Sequence, residues 1–176
     1  MIKQMFSART LSLTGALLLS VGAVTSTDAA TQTANLAVSA SVSASCSIST
    51  APGAFGAYDP VVTNATAPLN GTGTVNVTCT SGASTTVTLG QGSNADTGST
   101  DAAPARRMSD GSSHFLTYSL YSNTGRTTVW GNTAGTGQAS TGTGSQVALT
   151  VYGAVDAGQS VPTGSYSDTV VATVTF

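Results

Sequence analysis

From residue 34 to residue 176 this chain alternates apolar and small polar side chains in short runs of period two, and no run after residue 29 shows helical spacing. Period two sends successive side chains to opposite faces of an extended strand, so each run predicts a strand with one buried face. The first run places Ala34, Leu36, Val38, Ala40, Val42, Ala44, Cys46 and Ile48 on one side, with Asn35, Ser39, Ser41, Ser43, Ser45 and Ser47 opposite. It exceeds the usual strand of about five or six residues. Further strands are predicted over residues 73–79 (Val75, Val77, Cys79), 85–89 (Val87, Leu89), 115–121, 146–152 (Val147, Leu149, Val151) and 166–176 (Val170, Ala172, Val174, Phe176). A short edge strand is predicted over residues 126–130, and Gly- and Ser-rich surface loops over 91–104 and 131–144. Seven or so short strands with turn residues between them predict an all-β, immunoglobulin-like sandwich.

Residues 1–29 read as a secretory leader: Lys3 and Arg9 precede an apolar stretch over residues 11–24, and Thr27-Asp28-Ala29 supplies small residues at the cleavage positions. The apolar stretch is too short for a membrane span, and nothing later approaches one, so the product is expected to be exported and not membrane-embedded. The remaining 147 residues suit one domain, with residues 30–44 as an N-terminal segment continuing into the first strand and 45–176 as the domain proper. Their only cations are Arg106, Arg107 and Arg126, against six aspartates, a net charge of −3. Without a basic patch the electrostatic term that dominates nucleic-acid affinity is missing, so no nucleic-acid partner is expected. The exported part has no lysine, so any assembly through it is expected to be noncovalent. After an export signal, the two cysteines, Cys46 and Cys79, predict a disulfide, the rival being two buried free thiols.

Catalytic chemistry needs converging titratable groups, and the supply here is thin. His114 is the only histidine and reads as a turn or surface residue beside Phe115. No Gly-x-Ser-x-Gly elbow accompanies it, and two Cys with one distant His make no metal-ligand set. The Gly-x-Gly pairs at residues 71/73, 135/137 and 142/144 lack the rest of a phosphate-binding pattern and open no helix. The reading is therefore no enzyme, no metal and no cofactor. Asn64, Asn70 and Asn76 fit a glycosylation motif that a Thr-rich chain produces by chance.

The two ends carry the functional signal. Alternation runs to Phe176, leaving nothing to close the sandwich, while the N-terminal run is longer than one strand needs. A sandwich short of one strand exposes backbone donors and acceptors along an apolar groove, and an added strand from another chain can fill it. The inward set of the N-terminal run, Ala34, Leu36, Val38, Ala40 and Val42, is the candidate donor to another subunit. Its larger side chains contribute roughly 5 to 8 kcal/mol gross, against association costs of about 4 to 15 kcal/mol, so backbone pairing must add to the joint. The competing reading is an ordinary first strand with a frayed terminus.

Several stretches resemble one family: the Cys46 segment after an alternating N-terminus, Val75-Asn76-Val77-Thr78-Cys79, Leu116-Thr117-Tyr118-Ser119-Leu120-Tyr121, then Gly125-Arg126-Thr127 and Tyr152-Gly153-Ala154-Val155. The closing stretch from Pro162-Thr163-Gly164-Ser165-Tyr166-Ser167-Asp168 to Phe176 is the most specific. Together they resemble the spore coat protein U domain, shared by archaic (Csu-type) chaperone-usher pilins. The resemblance implies a Cys46–Cys79 disulfide and related pilin subunits as partners. It also implies a periplasmic chaperone, facing the terminal strand at Val170, Ala172, Val174 and Phe176, an outer-membrane usher, and a surface fibre for adhesion and biofilm formation. Ala34 and Ala40 depart from it in being small for donor anchors. The runner-up is a secreted, coat-like protective protein. A third reading, a monomeric carbohydrate-binding module, would need Trp130, Tyr118 and Tyr121 as an aromatic platform.

Overall fold

The computed structural model describes residues 28–176. All but the last two residues of the expected leader lie outside them. Residues 28–45 carry no strand and are exposed throughout. Eight strands follow: β1 (Cys46–Ala54), β2 (Leu69–Cys79), β3 (Ser84–Leu89), β4 (Arg106–Ser109), β5 (Phe115–Tyr121), β6 (Gln138–Thr141), β7 (Gln146–Val155) and β8 (Ala172–Thr175). The protein is all-β. Strands β1-β2-β7-β5-β4, in that order, form one sheet and β6-β3-β8 a second, with every pairing antiparallel.

The inward faces are those the alternation predicts. Val75, Val77 and Cys79 of β2, Val87 and Leu89 of β3, and Leu149 and Val151 of β7 form one buried cluster with Trp130. Leu116, Tyr118 and Val155 form a second cluster towards the other end of the strands. Burying each large apolar side chain contributes about 1.5–3 kcal/mol, so the two clusters supply the main drive for the sheets to pack. Cys46 and Cys79 are register partners on β1 and β2 and are joined by a disulfide, Cα to Cα 4.1 Å.

Four differences from the sequence reading have physical causes. The first strand begins only at Cys46, whereas alternation starts a dozen residues earlier. β4 is absent from the reading because its deepest inward residue is a charge, Arg106, wholly buried. Arg106 Nε donates to Gly90 O at 2.8 Å, and Nη2 donates to Leu89 O at 2.8 Å and Trp130 O at 2.9 Å. β6 lies inside the expected 131–144 loop; it pairs with β3 through the backbone, with the Thr85 hydroxyl donating to Ser140 O at 2.9 Å, and carries no large apolar residue. Residues 126–130 form no strand: Arg126 adopts a left-handed φ of 52°, only Val129 bridges to Tyr121, and Trp130 turns inward to donate its indole N–H to Val87 O at 2.8 Å.

Candidate functional site: an apolar groove between two strand edges

β1 is the outermost strand of its sheet and β8 of the other, so each pairs on one side only, and they approach each other across the seam of the sandwich. The free side of each presents a row of unpaired backbone donors and acceptors. Between them opens a groove of about 1040 Å³. Its floor is the inward face of the five-stranded sheet, with Val75, Leu116, Tyr118, Leu120, Val151 and Val155 prominent. One rim is residues 50–58 and the other is residues 161–170, leading to Ala172 of β8.

The terminal strand keeps its alternation but is shorter than predicted. Val170, Ala172 and Val174 are half-buried against the valine-rich cluster, while Val171 is exposed. Phe176 is 56% exposed. Ahead of β8, residues 166–171 run without regular strand geometry. Gly90 N–H donates to Val171 O at 2.8 Å, Ser93 N–H to Thr169 O at 3.1 Å, and Ser109 forms a single bridge with Ser167.

Asp168 fixes this rim. One carboxylate oxygen accepts the backbone N–H of Ser93 at 2.9 Å and of Asn94 at 3.2 Å; the other accepts the Tyr118 hydroxyl at 2.7 Å. Gly92 makes the approach possible, since its φ is +89° and a Cβ there would collide with the Asp168 carboxylate. Burial, then the hydrogen bond to Asp168, hold the Tyr118 phenol protonated far above its ordinary range. Desolvation lowers the Arg106 pKa, and the neighbouring Tyr118 and Asp168 offset part of that effect. These groups form a polar brace that pins the β8 approach to β5 and to the loop after β3.

The donor candidates belong to no strand: Leu36, Val38 and Val42 are 86–87% exposed, and Ala34 and Ala40 are exposed. The aromatic platform does not exist, because Trp130 is completely buried and Tyr118 nearly so; both are core. His114 Nδ1 meets Asp110 Oδ2 at 2.6 Å within the β4–β5 turn, and this hydrogen bond is the main reason the Asp110 carboxyl lies below its ordinary range. Asn64 is buried and spans its own loop, accepting from Asp59 N–H and donating to Ala67 O. Among the described residues no three His, Cys, Asp or Glu side chains gather as a metal set, and no helix is long and apolar enough to cross a membrane. Sequence reasoning missed Phe55, which enters the groove from the rim beyond β1; a lone aromatic after a glycine-containing run gave no periodic signal.

Fold and groove together define a class: a two-sheet antiparallel β-domain with an unpaired strand edge on each side of an apolar cleft. The family model for the Spore Coat Protein U domain matches residues 32–173. Protein U of Myxococcus xanthus is 50% identical over 125 residues, 69% of this chain and 70% of that protein. The chain belongs to the Spore Coat Protein U domain family. A solved structure, the CsuC–CsuE chaperone–tip adhesion subunit pre-assembly complex from archaic chaperone-usher Csu pili of Acinetobacter baumannii, is similar at 20% identity and a TM-score of 0.49. That match covers 77% of this chain and 40% of the other.

Proposed function

We propose that this chain is an exported structural subunit that polymerises noncovalently by strand donation into a chaperone-usher surface fibre. The observation that carries the reading is the open apolar groove between two unpaired strand edges, in a chain that also holds an exposed alternating segment. Ala34, Leu36, Val38, Ala40 and Val42 of one subunit fill the groove of the next and complete its sandwich. Before assembly, a periplasmic chaperone covers the same edge along Val170, Ala172, Val174 and Phe176, and an outer-membrane usher passes the subunit to the cell surface. Adhesion and biofilm formation are the roles such a fibre serves. The domain is structural, and catalysis is no part of the proposal. The family's description favours a second reading, a protective coat layer built on the same joint.

The test is electron microscopy of producing cells carrying Val38→Asp or Ser39→Asp. A carboxylate entering an apolar pocket without a partner costs several kcal/mol, so Val38→Asp abolishes assembly. Ser39→Asp, one residue along and facing the other way, is mild. Thin fibres lost in the first variant and kept in the second are the expected result; a continuous layer in their place supports the coat reading. Normal assembly by Val38→Asp, or equal damage by both, removes strand donation in this register.

A further inference from the structure

Phe55 lies inside the groove, and two glycines make room for it. The β1–β2 register shifts between Ala51 and Ala54, and Gly56 follows at φ +86°, so irregular backbone flanks Phe55 on both sides. The ring rests on Gly71 of β2 and Gly153 of β7, which are register partners. A Cβ at Gly71 would stand 2.8 Å from the ring Cδ1, and one at Gly153 would stand 2.5 Å from Cε1 and 2.6 Å from Cζ. Neither position can carry a side chain while the ring is seated. Backbone conformation does not explain these glycines, because neither is among the residues with positive φ. Arg126 braces the seat, donating to Gly153 O at 2.9 Å and to Gly71 O at 3.4 Å. Tyr118 closes it with an edge contact, ring centroids 5.8 Å apart.

The geometry points to Phe55 as a built-in stopper that fills one subsite of the groove before any strand is donated, and so sets the register of the strand that follows. A donor crossing a subsite already filled by a phenyl ring has room there only for a small side chain. The donor segment fits this demand: residues 30–44 contain no aromatic, and the inward set places Ala34 before Leu36 and Val38 and Ala40 between Val38 and Val42. One of these alanines passes over Phe55, and the larger residues take the pockets left open. This inference rests on the strand-donation reading.

The experiment uses fluorescent peptides of residues 32–44, added during refolding of the disulfide-intact mature chain. The chain carries Val38→Asp so that its own segment does not compete, and binding is read by anisotropy. The parent sequence is compared with peptides carrying Ala34→Phe or Ala40→Phe, each against chains with Phe55 or with Phe55→Ala. The expected result is that at least one Phe-bearing peptide binds the Phe55 chain tenfold or more weakly than the parent, and recovers that loss on Phe55→Ala. Phe55→Leu, a milder truncation, gives partial recovery and serves if the alanine variant folds poorly. Equal binding of all three peptides to the Phe55 chain, or a loss that persists in both Phe55 variants, overturns the stopper. Failure of the parent peptide to bind the Phe55 chain overturns strand donation itself.

Discussion

Residues 34–44 and residues 170–176 are written in the same pattern and end in different states. Both alternate apolar with small polar side chains, apart from Ala37 and Val171 at outward positions. The C-terminal stretch becomes β8, paired with β3 from Leu89↔Ala172 to Thr86↔Thr175, and its inward residues settle half-buried on the core. The N-terminal stretch forms no strand, and Leu36, Val38 and Val42 stay at 86–87% exposure. Alternation specifies which face of a strand is buried once a partner exists; it does not name the partner. β8 has the edge of β3 in its own chain, and the N-terminal segment, on the present account, finds its edge in another subunit.

Substituting both stretches separates their roles. The largest effect is expected from Val174→Asp, which drives a carboxylate against the buried valines and lowers the stability of the single chain by several kcal/mol. Val38→Asp leaves single-chain stability within about 0.5 kcal/mol, as for other exposed sites, although it abolishes assembly. Urea unfolding of the two variants checks this; equal losses would mean that the N-terminal segment belongs to the chain's own core.

A loss of roughly 3 to 4 kcal/mol is expected when Cys46 and Cys79 are both changed to Ser, because the disulfide closes a loop with a sequence separation of 33. The bond ties β1, one wall of the groove, to its neighbour β2. An unchanged urea midpoint for the double variant would show that β1 is held by pairing alone. A smaller loss than that of the disulfide is expected at the other wall. Asp168→Asn removes the charged acceptor for Ser93, Asn94 and Tyr118 and should cost about 1–3 kcal/mol. Hydrogen exchange at the amides of Gly90 and Ser93, which hold Val171 and Thr169, should rise more than exchange in β2. A uniform rise across both sheets would mean that Asp168 supports the whole domain and not the rim.

The strands that alternation made legible are those whose inward residues are apolar. The interval read from residues 115–121 is β5, residues 85–89 fall within β3, and β2 and β7 merely extend further than read. Illegible elements fail for chemical reasons. Arg106 takes an inward position that apolar counting treats as solvent-facing, and its three backbone acceptors are visible only in the fold. Gln138 to Thr141 give β6 no hydrophobic face to detect. In the groove, Val170 and Ala172 were readable from the last run, whereas the seat of Phe55 depends on the pairing of Gly71 with Gly153, a relation between residues far apart in sequence.

The central claim is that residues 34–42 complete the sandwich through its open seam, and the most direct measurement supplies that strand in cis. A second copy of residues 34–42 is joined to Phe176 through a flexible linker, and the original segment carries Val38→Asp. The account predicts a monodisperse monomer with a higher unfolding midpoint than the unextended chain, and new amide protection along the free sides of β1 and β8. Protection that stays unchanged on both edges, with no gain in midpoint, would contradict it.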